Sequence, residues 1–485
     1  MPASPENQQP GSLFRLATAG SVDDGKSTLV GRLLHDAQAI LSDQLAAVAR
    51  SSAERGFGGV SPASGQSARE DLAEQPLDHQ SLDGQTADGQ ALDLALLTDG
   101  LRAEREQGIT IDVAYRYFAT DRRSFVLADC PGHVQYTRNT VTGTSTADAV
   151  VLLVDVRNGV VEQTRRHLAV ATLLRVEHVI IAVNKIDAVG YSEQAFRAVE
   201  QDIRAVAAEL GSPEPRVIPV SALHGDNVVT VSERTPWYRA PEHLGQALLP
   251  ILEELPDADA SLRAEEPLRL PVQTVIRPHQ DYRGYAGQIA SGFLQPGDRV
   301  RLQPGRAVTE VTAVERTELQ TALGGGEGVP QLASPGESVT VRLAGEFDAA
   351  RGTLLTDPER PAVELDELTA QLAWLGDEPL RPGARVLFKH GTATVKALVS
   401  EIHDRLDLST LAPESAGELV LNDIGTVQVK LASTLPVDDY AVSKRTGAAL
   451  LIDPADGNTL AAGMIRVPEP EEEPEDQSDE EWLSS

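Results

Sequence analysis

The sequence predicts an α/β domain built around a phosphate-binding loop and followed by two small antiparallel β-barrels. Three observations carry this. The pattern GxxxxGK[ST] at Gly20 to Ser27 follows directly on a mostly apolar run, Leu13 to Ala19; further apolar runs through the first half end in polar motifs; and after Leu268 the chain changes to short alternating segments broken by Pro and Gly. The first run reads as a strand, GSVDDGKS as a turn, and Leu29 to Leu34 as the start of a helix in which Gly31 is the one weak residue. A glycine-rich turn without a ligand would satisfy the pattern too, but the order strand, turn, helix is the one in which loop N–H groups converge on phosphates beside a helix dipole that favours negative charge. The nucleotide-binding residues expected here are Gly20, Ser21, Val22, Asp23, Asp24, Gly25, Lys26, Ser27 and Thr28. Lys26 would bridge the β- and γ-phosphates, and Ser27 would hold Mg²⁺ through its hydroxyl.

The later motifs specify the base. Ser124 to Ala128 reads as a buried strand that ends in Asp129, Cys130, Pro131, Gly132 and His133. An aspartate at a strand end can hold a metal's water shell, and the Gly132 N–H can meet a γ-phosphate. Two more apolar runs follow, Ala149 to Val154 and His178 to Val183, and the second opens into Asn184, Lys185, Ile186 and Asp187. The Asp187 carboxylate can accept from both the ring N–H and the exocyclic amine of guanine, a pair that adenine does not present; buried polar groups left unpaired reject the wrong base. Arg216 to Val220 reads as a fifth strand ending in Ser221, Ala222 and Leu223, where a backbone N–H can reach the guanine oxygen. Each later motif alone is common as a surface turn. Their order, and their place at the carboxyl ends of strands where open α/β sheets bind ligands, give the guanine-nucleotide reading. Between the first two motifs, EREQGITID at Glu104 to Asp112 contains Thr110, a switch residue that would sense Mg²⁺ and the γ-phosphate. The same stretch also reads as a charged helix end, Gly108, and a strand from Ile109. The metal set is then Ser27, Thr110 and, through water, Asp129, with GTP and Mg²⁺ as cofactors.

ERExGITID together with GSVDDGKST, DCPGH and NKID resembles the translation-factor class of GTPases, the elongation factor Tu and elongation factor 1-alpha group. That class carries a histidine after DCPG that orients the attacking water, which implies this role for His133 beside Lys26 and Thr110 as catalytic residues. Within the class, LFRLATAGSVDDGKSTLVGRLLHDA, DLALLTDGLRAEREQGITIDVAYRYFAT, DYRGYAGQIASG and GNTLAAGMI resemble the GTPase subunit of bacterial sulfate adenylyltransferase, as does Ser21 where translation factors have His. The resemblance covers nearly all of residues 13 to 466. It implies GTP hydrolysis coupled to formation of adenosine 5′-phosphosulfate and pyrophosphate from ATP and sulfate, with adenylyl transfer on a separate, smaller catalytic subunit that binds ATP and sulfate, in a heterodimer or higher assembly. The competing reading is a translation elongation- or release-factor-like GTPase that carries tRNA or a protein mimic. Such carriers need basic barrels, whereas this chain has 42 Lys and Arg against 73 Asp and Glu, a net −31 that argues against nucleic-acid partners. A fused adenosine-phosphosulfate kinase would need a second phosphate loop, and none follows in the sequence.

The 485 residues are too many for one ordinary domain, and the expected plan is a disordered 1–12, a GTP-binding domain over 13–255, barrels over 268–357 and 362–466, and a disordered acidic tail over 467–485. Aromatics make up only 4%, so the cores should be aliphatic. Residues 51–90, rich in Gly, Ser, Gln, Ala and Asp, read as a flexible insertion, and Pro256 to Pro267 as a linker. Cys130 is the single cysteine, which excludes an internal disulfide and suits a packed thiol better than a nucleophile. With no charged and apolar leader and no long apolar run, the expected compartment is the cytoplasm and no membrane partner is expected. In the barrels, Val339, Val341 and Leu343 alternate on one face, as do Val427, Val429 and Leu431; turn signals stand at Pro296 to Asp298, Pro304 to Arg306 and Gly324 to Gly328. Arg277, His279, Arg283 and Tyr285 form a polar cluster suited either to a partner contact or to a solvated strand rim.

Overall fold

The computed structural model describes residues 13–37, 112–133, 136–239, 245–256, 266–316 and 332–468. The N-terminus, the insertion at 51–90, Thr110, most of the linker, the Gly324 to Gly328 turn and the acidic tail from Glu469 lie outside these described residues. Two compact units are formed, residues 1–262 with 406–414, and residues 263–405 with 415–485.

In the first unit, β1 (Leu13–Gly20), β2 (Ala114–Ala119), β3 (Ser124–Asp129), β4 (Ala149–Asp155), β5 (His178–Asn184) and β6 (Arg216–Pro219) form one sheet in the order β2-β3-β1-β4-β5-β6. All neighbouring pairs are parallel except β2 with β3. The strand expected to start at Ile109 begins, among the described residues, at Ala114. Every residue of AVVLLVD in β4 is buried, the pattern of a parallel strand covered on both faces by helices. Those helices include α1 (Lys26–Asp36), α2 (Thr137–Thr144), α3 (Glu162–Leu173), α4 (Glu193–Glu209) and α5 (Leu248–Glu254). The α4 helix starts cleanly because the Ser192 hydroxyl accepts the Ala195 N–H. Sparse aromatics cluster where β1, β2 and β3 meet: Phe125 stacks on Phe118 at 4.7 Å and meets Phe14 edge-on at 6.0 Å.

Among its described residues, the second unit is all β apart from one helical turn, Lys444–Gly447. Strands β7 (Arg269–Ile276), β8 (Gly284–Gln288), β9 (Arg299–Gln303), β10 (Ala307–Glu315), β11 (Ser338–Leu343) and β12 (Leu354–Thr356) close into a barrel in the order β10-β11-β8-β7-β12-β9. After it come β13 (Val363–Trp374), β14 (Arg385–His390), β15 (Ala393–Asp407), β16 (Ala412–Glu414), β17 (Ile424–Val437), β18 (Ala448–Ile452) and β19 (Thr459–Arg466), of which β16 and the last two residues of β15 fall in the 406–414 segment counted with the first unit. The order β14-β18-β19-β13-β17-β15 closes through a further β14–β15 pairing, giving the second barrel. Val339, Val341 and Leu343, like Val427, Val429 and Leu431, point into their cores as the alternation requires. The polar cluster on barrel one does not hold together. Tyr285 lies in the core with its hydroxyl donating to the Phe347 carbonyl at 3.1 Å, because a large ring at an inward position of β8 buries more area than a rim position offers. Arg283 donates to the same carbonyl at 2.9 Å, while Arg277 and His279 are exposed.

Candidate guanine-nucleotide site

The loop from Gly20 to Gly25 leaves the end of β1 and turns into α1. Two left-handed positions make the turn, Asp23 at φ 65° and Gly25 at φ 92°. Gly25 is the helix N-cap, and a Cβ there would stand 2.5 Å from the Asn184 Nδ2. Asp24 folds back inside the loop, where its carboxylate accepts the Ser21 N–H at 2.6 Å; burial pushes its pKa up against the pull of that bond and of Lys26. Val22 and Asp23 face solvent, and Ser27 and Thr28 are half-buried at the first turn of α1.

Lys26 is buried, and its ammonium donates to the Gly20 carbonyl at 2.7 Å and the Ser21 carbonyl at 2.8 Å. Burial lowers its pKa, opposed by the charges of Asp129 and Asp24. An ammonium held at low dielectric by carbonyl dipoles is what an incoming polyphosphate would relieve. Gly132 comes against the same point: a Cβ there would lie 2.3 Å from the Lys26 Nζ and 2.6 Å from the Gly20 oxygen, so only glycine leaves the cradle open. Asp129, at the end of β3, is buried and accepts the Thr18 hydroxyl at 2.9 Å. His133 follows, half-buried, with its ring 6.2 Å from that of Tyr136. Cys130 is fully buried behind this loop and its thiol is held well above the ordinary range by burial, which makes it a packing residue.

The motifs expected to read the base come together on the other side. Asn184, at the end of β5, donates from its amide to the Asp24 carbonyl at 2.7 Å and accepts the Ala222 N–H at 2.9 Å, so one side chain joins the phosphate loop to the loop after β6. Lys185 adopts φ 62° and reaches the Asp23 carbonyl and, at 3.0 Å, the Asp155 carboxylate. Asp187 is half-buried in a single 3-10 turn, Ile186–Val189. Ser221 is fully buried, its hydroxyl accepting the His224 N–H at 3.2 Å, while Leu223 is half exposed.

Two residues here went unread in the sequence. Asp155 ends β4, clasps Arg157 through both carboxylate oxygens at 2.6 and 3.0 Å as well as Lys185, and is held below the usual carboxylate range by those bonds against the cost of burial. An acid closing a wholly apolar strand is the same signal that marked Asp129. Arg32 is buried in α1, and its guanidinium donates to the Ala222 and Leu223 carbonyls. An arginine inside the run LVGRLL was its signal.

The hydroxyl of Ser27 and the carboxylate of Asp129 are hard oxygen donors of the kind Mg²⁺ takes, and among the described residues no group of three His, Cys, Asp or Glu forms a separate metal site. Thr110 lies outside the described residues. No helix among the described residues is long and apolar enough to cross a membrane.

This fold and site define a GTP-binding protein of the translation-factor type: residues 12–256 match the Elongation factor Tu GTP binding domain family, and residues 367–466 match the GTP-eEF1A C-terminal domain-like family. Sulfate adenylyltransferase subunit 1 of Laribacter hongkongensis is 42% identical over 94% of this chain and 86% of its own length, and that of Methylorubrum populi 42% over 94% and 87%. The bifunctional enzyme CysN/CysC of Mycobacterium tuberculosis is 44% identical over 94% of this chain and 67% of its own. A solved structure of Sup35 with GDP aligns over 95% of both chains at 19% identity with a TM-score of 0.39, too low to carry an argument. The chain belongs to the sulfate adenylyltransferase subunit 1 family.

Proposed function

We propose that this chain binds GTP with Mg²⁺ at the site described and hydrolyses it to drive a partner reaction, ATP and sulfate giving adenosine 5′-phosphosulfate and pyrophosphate. The observation that carries the reading is the convergence of four separate motifs, with Lys26, Gly132, Asn184 and Ala222 brought into one cradle. The relatives' name, subunit 1, supports a second subunit, which we take to be a smaller catalytic chain that holds ATP and sulfate in a heterodimer or larger assembly, in the cytoplasm where both nucleotides are made.

In this reading Lys26 exchanges its loop carbonyls for the β- and γ-phosphate oxygens, the N–H of Gly132 meets the γ-phosphate, and the loop N–H groups take the remaining charge. Ser27 and Asp129 would hold Mg²⁺, joined by Thr110, and the ion would neutralise charge developing on the phosphates. Asp187 reads the guanine ring N–H and amine, and the loop of Ser221, Ala222 and Leu223 reads the oxygen. His133 orients water for in-line attack. Phosphosulfate formation from ATP is uphill, so it needs a second nucleotide's hydrolysis linked to it. The test is GTP turnover by the purified chain with and without the small subunit, ATP and sulfate. A rise only when all three are present supports the coupled reaction, and turnover indifferent to them refutes it.

A further inference from the structure

We propose that Arg32 is a positioning residue for guanine recognition: by gripping two carbonyls of the loop after β6 it aims the Leu223 N–H at the base. The inference rests on the site reading above. Arg32 is 5% exposed, so its charge has lost water and needs partners. Nε donates to the Ala222 carbonyl at 3.3 Å and Nη2 to the Leu223 carbonyl at 2.6 Å, while Nη1 stands 3.4 Å from the Asp36 carboxylate. Asp36 is shared with the His35 ring at 2.7 Å, and that leaves the two carbonyls as the partners the guanidinium fork reaches beyond its own helix.

The geometry of a trans peptide gives this grip its consequence. The C=O of Ala222 and the N–H of Leu223 belong to one planar unit and point to opposite sides, so fixing the oxygen against α1 turns that N–H away from it. Its neighbours in the loop are already engaged. The Ala222 N–H donates to Asn184 at 2.9 Å, the His224 N–H to the Ser221 hydroxyl at 3.2 Å, and the Gly225 N–H to the Ser221 carbonyl at 2.8 Å. Among the described residues the Leu223 N–H donates to none, and Leu223 is half exposed beside Asn184 and Ala222. Arg32 therefore links the helix that starts at the phosphate loop to the donor that would take the guanine oxygen.

The test uses the full chain with Arg32→Lys and Arg32→Gln, titrated with GTP, 6-thioguanosine triphosphate and inosine triphosphate. The thio analogue keeps the ring N–H and amine but puts a weak acceptor where guanine has oxygen; the inosine analogue keeps the oxygen and loses the amine that Asp187 reads. The parent should disfavour both analogues. In Arg32→Lys, which keeps the charge and stem but not the fork, GTP affinity should fall about tenfold, the scale of one hydrogen bond, with thio-nucleotide affinity nearly unchanged and the inosine penalty intact. Arg32→Gln should show the same pattern. Because each ratio is read within one protein, Arg32→Lys decides the matter if Arg32→Gln does not fold. Equal weakening towards GTP and its thio analogue, or the shrinking of both penalties together, would make Arg32 a packing residue and overturn the proposal. A parent that binds all three nucleotides alike would overturn the guanine site itself, and Arg32's role with it.

Discussion

Lys26 shows how single residues here are set by opposing terms: burial pulls its charge down, and two carbonyls at 2.7 and 2.8 Å with two nearby carboxylates hold it up. Asp187 is the residue proposed to carry the base choice. Replacing it by Asn turns an acceptor into a donor that suits the extra oxygen of xanthine, so GTP affinity should drop by about 3 kcal/mol, the scale for a lost charged hydrogen-bond partner, and xanthosine triphosphate should bind better than GTP. Unchanged GTP affinity in a nucleotide titration would reduce NKID to a surface turn. His133 sits one residue beyond Gly132, the glycine proposed to meet the γ-phosphate, so His133→Ala should keep GTP affinity and lower partner-stimulated turnover about a hundredfold; loss of affinity with normal turnover at saturation would withdraw its proposed water-orienting role. His167 titrates by burial instead. Its Nε2 lies 2.9 Å from the Gln163 amide, its Nδ1 has no partner among the described residues, and burial pushes its pKa down to about 3. The unfolded chain takes up a proton near pH 6.5 that the folded chain refuses until about pH 3, so stability is lost as pH falls through that window, by up to about 1.4 kcal/mol per pH unit. Unfolding titrations of His167→Gln should therefore run flatter than the parent below pH 6.5, and parallel curves would assign the acid sensitivity to other groups.

At the scale of elements, the ends of strands do the positioning. Arg123 opens β3's hairpin side and reaches back to the carbonyls of Leu252 and Leu255 at the end of α5, while its guanidinium lies 4.4 Å over the Phe14 ring. It is thus both the cap of α5 and a cover for the aromatic cluster. Arg123→Ala should lower unfolding stability by about 2 kcal/mol, combining lost carbonyl bonds at a helix C-terminus with a cation over an aromatic face. A melting temperature unchanged in that variant would show the arginine to be a passive surface group. Sequence pattern sufficed for the sheet and its motifs, because each apolar run is a buried parallel strand and each motif is whatever follows its last residue. It did not suffice for Arg32, Asp155 or Tyr285. Arg32 and Tyr285 donate to backbone carbonyls 190 and 62 residues away, which no composition marks, and Asp155 meets Lys185 only because β4 lies beside β5. A ring at Tyr285 looks the same in a string whether it points in or out, and only the register of β8 against β11 decides it.

At the scale of the molecule, the two barrels of the second unit are held to each other by a buried ion pair. Arg269, the first residue of β7, forks onto Asp438, just past β17, with Nε and Nη2 at 2.8 and 2.9 Å, and its Nη1 takes the carbonyls of Leu268 and Arg360, each at 2.9 Å. Asp438 also accepts the Thr446 hydroxyl at 2.6 Å. Four of the guanidinium's five N–H groups are used, and a desolvated pair so tied holds a defined geometry. Removing one partner leaves the other charge buried and unpaired, and that is the costly direction, about 3 to 5 kcal/mol. Asp438→Ala should therefore lower the unfolding transition of the second unit, followed by calorimetry or by limited proteolysis between the barrels. GTP affinity measured well below that transition should stay within about twofold of the parent, the scatter expected of independent sites, because none of these bonds involves a residue of the nucleotide site. Arg269→Met with Asp438→Leu, which removes both charges and leaves apolar side chains, should recover much of the lost stability. If the single substitution leaves the melting profile unchanged, the pair adds no net stability and the barrels are joined by their other contacts alone, among them the Gln303 amide on the Ala362 carbonyl.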